Sequence, residues 1–160
     1  MSVCFSKGLG CPAGAVLAGT AKAIAEAKRV RLQLGGAMCQ TGVLAAAANW
    51  ALDHNLDRLA EDHRLASRLR THLWQIEGVI LAPEDSPINL AFATVIDPGI
   101  NLDLLIARLS QKGVLVSKFG PRRLRMATHL GVTESGIDFA ASAIREVMGA
   151  RAEFKAMALA

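Results

Sequence analysis

Ser6-Lys7-Gly8-Leu9-Gly10-Cys11-Pro12-Ala13-Gly14 is the stretch from which the rest of this chain is read. It follows a short apolar run, Val3-Cys4-Phe5, and leads into another, Gly14 to Leu17. The pattern predicts two short buried strands around a Gly/Pro turn. A lysine at the end of such a strand is poorly placed as a solvated charge. Burial lowers a lysine pKa and exposes the neutral amine, a nucleophile that forms a Schiff base with an aldehyde. The glycines do not suit a dinucleotide-binding loop. After Gly8 and Gly10 the third glycine comes one position late, Pro12 interrupts, and the next segment reads as strand, not helix.

Downstream, Thr20 caps a predicted helix over Ala21–Leu34, and Gly35-Gly36 stops it. A very apolar helix follows from Gln40 to Leu52, and its Ala45–Ala48 run suits tight helix packing or a subunit interface. A long amphipathic helix spans Leu56–Ile76. Leu56, Leu59, Ala66, Leu69, Leu73 and Ile76 form its stripe, His63 fills the gap, and Gly78 ends it. This helix is expected to link two structural units. Beyond it, the predicted strands are Val79–Ala82, Ile88–Ile96, Val114–Ser117 and Leu124–His129. The predicted helices are Leu102–Lys112, from the Asn101 cap to Gly113, and Glu134–Met148, from the Thr133 cap to Gly149. Ile137, Ala140, Ala141, Ile144 and Met148 give the last helix its buried face, and Ala150–Ala160 reads as a frayed or weakly helical tail. The fold class is therefore α/β, with domains expected at 1–54 and 78–160 and a linking helix at 55–77.

Composition narrows the function. At 52% hydrophobic residues the chain builds a core and is not disordered. Aromatics are 4% and Tyr is absent, which argues against a stacking platform for single-stranded nucleic acid. The net charge is +4, and basic residues gather in three stretches: Lys22 to Arg31, Arg64 to Arg70 and Arg122 to Arg125. These read as solvated faces, with an anion or phosphate site as the sharper alternative and nucleic-acid binding resting on charge alone. Cys4, Cys11 and Cys39 have no CxxC pairing, so they read as reduced thiols in a cytoplasmic protein, with no zinc or other metal site. The longest apolar stretch, Gly42–Leu52, falls well short of the roughly 18 residues of a membrane span. Leu9–Ala21 is too broken by Gly and Pro for a signal sequence.

Two further segments stand in order behind the lysine: Leu34-Gly35-Gly36-Ala37-Met38-Cys39-Gln40-Thr41-Gly42-Val43-Leu44-Ala45-Ala46-Ala47, and Arg125-Met126-Ala127-Thr128-His129-Leu130. With the lysine segment they resemble the low-specificity threonine aldolases, β-eliminating lyases of the fold-type I pyridoxal-phosphate enzymes. That family shows SKGLGAPVGS-like, LGGGMRQAG-like and RxVTHLDV-like segments, and the match runs up to about Met148. The resemblance implies the C-terminal part of a fold-type I transferase-like fold: the end of the large cofactor domain in 1–54 and the small domain in 78–160. It implies pyridoxal 5'-phosphate held by Lys7 as an internal aldimine, and Arg125 gripping the substrate α-carboxylate. The implied reaction cleaves the Cα–Cβ bond of threonine or allo-threonine, a small β-hydroxy-α-amino acid, to glycine and acetaldehyde in a cytoplasmic homo-oligomer (dimer or tetramer). Strand alternation agrees with the Arg125 role. Arg125, Ala127 and His129 share one face and Leu124 and Met126 the other.

Arg122 and Arg123 are expected to be exposed loop charges, and His54 and His72 surface residues. His63 is expected to pack along its helix and His129 to order the turn before the last helix. Cys39 stands where the family has an arginine associated with the cofactor phosphate. Ala37 replaces a glycine, and Gly131 replaces an acidic residue. In the family, roughly half the protein precedes the lysine and supplies the phosphate loop, the histidine on the pyridine ring and the aspartate at its nitrogen. The alternative reading is a catalytically inactive truncated homologue, acting at most as an assembly or interaction module.

Overall fold

The computed structural model describes residues 1–81 and 88–150. The chain divides into two compact units, Met1–Leu59 and Ala60–Ala160.

In the first unit, β1 (Ser2–Cys4) and β2 (Ala15–Leu17) form an antiparallel hairpin with Val3 opposite Val16. Helix α1 (Ala21–Gln33) starts where the Thr20 hydroxyl accepts the Ala23 N–H at 3.3 Å, satisfying a donor that the first turn leaves open. Gly35 at φ +71° turns the chain away after it. Helix α2 (Thr41–His54) follows. The core is small: Leu9, Cys11, Ala48 and Ala51, with Phe5 and Leu59 against them. The expectation of buried strands does not hold. β2 is exposed throughout, β1 is half-buried only at Val3, and α1 buries no residue. The small cluster is formed by the hairpin loop and α2, so the loop and not the strands carries the apolar contacts.

The second unit contains most of α3 (Leu59–Trp74), then β3 (Val79–Leu81), β4 (Leu90–Val95), α4 (Leu102–Gln111), β5 (Ser117–Lys118), β6 (Arg123–Ala127) and α5 (Glu134–Gly149). The strands form one antiparallel sheet in the order β3-β4-β6-β5. Alternation decides its faces. Ala91, Ala93, Val95, Leu124 and Met126 point inward and are buried with Leu65, Leu69 and Leu73 of α3, Leu105 and Leu109 of α4, and Ile137, Ile144 and Val147 of α5. Leu73, Leu105, Leu109 and Ile144 are fully buried, each worth roughly 1.5–3 kcal/mol over exposure. All three helices contribute to that one core. The opposite face presents Phe92, Thr94, Arg123, Arg125 and Ala127.

The structure shifts several expected boundaries for physical reasons. Val114–Ser117 is mostly not strand. Gly113 at φ +81° ends α4 and the Val114 N–H bonds Leu109 O at 2.9 Å, so that donor closes the helix instead of joining a ladder. α5 runs through Gly149, which is its last residue and not its stop. In the α3 stripe, Leu65 and Asp62 are buried whereas Leu56 is exposed and Leu59 joins the first unit's cluster. The Asp62 backbone carbonyl there accepts the buried Thr128 hydroxyl at 2.6 Å, which ties α3 to the end of β6. Ala82, the expected end of β3, and the tail residues 151–160 lie outside the described residues.

Candidate active site

Lys7 lies on a turn pinned at both sides. The Lys7 carbonyl accepts the Gly10 N–H at 2.8 Å, with Gly10 at φ +73°, and Phe5 O accepts the Cys11 N–H at 3.0 Å. Leu9 and Cys11 are buried against α2, and Asn55 Nδ2 donates to Leu9 O at 2.9 Å. A Cβ at Gly8 would come within 2.6 Å of Leu59 Cδ2, so a side chain beside the lysine requires Leu59 to shift. The side chains around Lys7 are thus anchored inward while Lys7 itself is exposed, contrary to the buried position expected. Its amine has no hydrogen-bond or ion-pair partner among the described residues. The neighbouring Cys4 thiol is held below the ordinary thiol range, first by the Ser6 hydroxyl at 3.3 Å, then by the Ser6 backbone and the Lys7 charge.

Arg125 sits at the middle of β6 in the second unit, exposed between buried Leu124 and Met126 as the alternation predicts. Phe92 is its partner on β4 and Ser117 its partner on β5. Its guanidinium is also without a partner among the described residues. Ser117 Oγ donates to its carbonyl at 3.1 Å, which ties the backbone and leaves the fork available. Lys7 and Arg125 thus stand in different units.

The other cations and histidines separate clearly. Arg122, expected as a loop charge, is part-buried. It donates to Val95 O at 3.0 Å, Ile100 O at 2.7 Å and Asp97 O. It is a structural clasp, because one guanidinium ties together three backbone carbonyls of the β4–α4 connection. Arg123 is half-buried on β6, not a loop charge. His72 is not a free surface residue: its Nε2 lies 3.0 Å from Asp138 Oδ1. Arg68 grips the same carboxylate with two bonds of 2.8 Å, and Arg64 joins Glu61 and Glu134. The Arg68 fork, more than its charge or His72, holds the Asp138 carboxyl below its ordinary range. The i, i+4 spacing of Arg64, Arg68 and His72 against Glu134 and Asp138 was a readable signal, but only the packing of α3 on α5 makes it a network. His129 Nδ1 accepts the Gly131 N–H at 3.1 Å and orders that turn. His63 is half-buried, and His54 stacks on Trp50 at 4.4 Å. Cys4, Cys11 and Cys39 are free, with Cys39 exposed before α2. Among the described residues no cluster of three or more His, Cys, Asp or Glu could hold a metal, and no helix is long and apolar enough to cross a membrane.

The sequence model of the family described as Beta-eliminating lyase matches residues 1–95. The chain belongs to the β-eliminating lyase family. It is similar over most of its length to proteins described as low-specificity L-threonine aldolases. It is 36% identical to low-specificity L-threonine aldolase 1 of Arabidopsis thaliana, covering 92% of this chain and 42% of that protein. It is also 36% identical to the low specificity L-threonine aldolase of Escherichia coli K12, covering 82% and 38%. The chain spans less than half the length of these relatives. Among solved structures, a Listeria monocytogenes protein assigned as an L-allo-threonine aldolase superposes with a TM-score of 0.70 at 18% identity, over 91% of this chain and 44% of that one. Plasmodium falciparum ornithine δ-aminotransferase superposes with a TM-score of 0.52 at 16% identity, over 68% and 29%. At such identities these two speak for the fold alone, and the α/β, fold-type I expectation holds.

Proposed function

We propose that this chain is part of a threonine-aldolase-like lyase that uses pyridoxal 5'-phosphate to cleave the Cα–Cβ bond of a β-hydroxy-α-amino acid. Threonine or allo-threonine would give glycine and acetaldehyde. The observation that carries the reading is 36% identity to a low-specificity L-threonine aldolase across 92% of the chain. On this reading the first unit is the end of the cofactor domain and the second is the small domain. The residues present fit the cofactor in one respect that the structure supports directly: an exposed, unpartnered primary amine, Lys7, is presented on a pinned turn. Lys7 would hold the cofactor's aldehyde carbon. The bound cofactor supplies an electron sink for the pair released on bond cleavage. Arg125 would hold the substrate α-carboxylate, for which its free guanidinium offers a planar fork and permanent charge. Homo-oligomeric assembly in the cytoplasm accompanies this reading. It is supported by exposed Val43, Trp50 and Leu52 on α2 and by three free cysteines.

The test is borohydride reduction of the chain after incubation with pyridoxal phosphate, followed by peptide mapping. The expected result is a pyridoxyl group on Lys7 in preference to Lys22, Lys28, Lys112 and Lys118, with loss of the visible absorption band in Lys7→Ala. Uniform labelling of all lysines, or an unchanged band in Lys7→Ala, overturns the assignment of Lys7.

A further inference from the structure

The outward face of the second unit's sheet carries two arginines and, among its described strand residues, no acid. β4 and β6 pair so that Phe92 stands opposite Arg125 and Thr94 opposite Arg123. None of the outward strand residues, Ile80, Leu90, Phe92, Thr94, Ser117, Arg123, Arg125 and Ala127, is acidic. Arg122, next in sequence, is spent on three backbone carbonyls. Arg123 is held differently. Its Nε donates to Thr94 Oγ1 at 3.4 Å and its guanidinium carbon lies 6.0 Å from the centroid of the Phe119 ring. Those contacts orient the side chain and leave its two terminal nitrogens with no hydrogen-bond acceptor among the described residues. Phe119 in turn packs on Phe92, with ring centroids 5.2 Å apart and planes tilted by 59°. The aromatic pair therefore runs from the residue opposite Arg125 to the residue beneath Arg123. An open cavity of about 470 Å³ lies beside it, lined by Thr94, Phe119, Gly120, Pro121, Arg122 and Arg123.

Residues two apart on a strand share a face with backbones about 7 Å apart, so Arg123 and Arg125 present two forks on the same face. One oriented guanidinium and one free guanidinium flanking an apolar ridge match a ligand with an anionic group at each end and a short hydrocarbon between. A single carboxylate would satisfy only one of them.

We propose that Arg123 is a second anion anchor beside Arg125, so that this face takes β-hydroxy-α-amino acids whose side chain ends in a carboxylate. The proposal rests on the reading of Arg125 as the α-carboxylate fork. Arg125 holds the α-carboxylate, the carbon chain lies along Phe92 and Phe119, and the terminal nitrogens of Arg123 take the distal carboxylate. Thr94 and Phe119 are positioning residues for Arg123.

Adipate and hexanoate, a dicarboxylate and a monocarboxylate of equal chain length, are the probes, titrated into the full chain by calorimetry and by NMR. One charge-assisted hydrogen-bonded pair at a half-buried site predicts that adipate binds about tenfold more tightly than hexanoate. In Arg123→Gln the ratio falls to about one, in Arg123→Lys it is partly kept, and in Thr94→Val it drops by a smaller factor because Arg123 loses its guide. A wild-type ratio near one, or a ratio unchanged by Arg123→Gln in a variant whose NMR spectrum remains folded, overturns the proposal. Arg125→Gln isolates the underlying reading. Loss of hexanoate binding is expected there, and hexanoate affinity equal to wild type refutes the carboxylate role of Arg125 whatever the Arg123 result.

Discussion

Replacing Arg122 with alanine removes one donor from each of three backbone carbonyls, of which Asp97 O keeps the Ile100 N–H at 3.2 Å. Arg122 Nε bonds Val95 O at 3.0 Å, one terminal nitrogen bonds Ile100 O at 2.7 Å and the other bonds Asp97 O. These acceptors belong to the end of β4 and the turn into α4, next to buried Val95, Ile100 and Leu102. A hydrogen bond from a charged donor contributes about 1.5–3 kcal/mol, so three would sum to about 4.5–9 kcal/mol if fully desolvated. Arg122 is only part-buried, and water can reach some of the released carbonyls, so about 2–4 kcal/mol is the working figure. At 1.4 kcal/mol per factor of ten, the slowest-exchanging amides of β4 and β6 should exchange about 30- to 700-fold faster in Arg122→Ala. Native-state hydrogen exchange is the right assay because it reads the second unit without assuming that the whole chain unfolds in one step. Arg122→Lys should recover little, since one ammonium on a flexible stem cannot serve three diverging acceptors as a planar fork does. Acceleration below about fivefold, roughly 1 kcal/mol, would refute the claim that Arg122 clasps this corner.

Two other outcomes are expected. The Asp138 carboxyl is depressed by Arg68 and His72, so its contribution is complete above the ordinary carboxyl pKa of about 4 and is lost as pH falls through the lower folded value. Asp138→Asn should therefore flatten the acid limb of the stability–pH curve, and an unchanged slope below about pH 4 would count against the α3–α5 network. A methyl at Gly8 meets Leu59 Cδ2 at 2.6 Å, so Gly8→Ala should cost about 1 kcal/mol in urea unfolding of the first unit, and Leu59→Ala in the same chain should relieve the clash. Additive costs in the double variant would show that the contact does not constrain the Lys7 turn.

Much of this protein is written locally. Thr20, Asn101 and Thr133 cap their helices through short-range hydrogen bonds, Gly35 and Gly113 adopt the left-handed backbone that stops them, and β6 alternates as its residue order dictates. These features depend on neighbours within a few positions, which is why sequence reasoning reaches them. The lysine turn, the Arg125 position and the family resemblance were legible for the same reason, as contiguous residues in a set order. Burial was not. Lys7 is exposed because the cluster formed by α2 and the hairpin loop takes Leu9 and Cys11, and no spacing rule announces that choice. Arg122, Arg123 and Arg125 have the same side chain within four positions of sequence. One is consumed by carbonyls from the β4–α4 connection, one is aimed by Thr94 and Phe119, and one is left free. Their partners come from β4 and the loops around it, more than 20 residues away for Val95, Ile100, Asp97 and Thr94. The sequence alone determined which elements form and which family they belong to. Only the pairing of β4 with β6 decided what each arginine can do, because a side chain's chemistry depends on the acceptors that tertiary contact brings within reach.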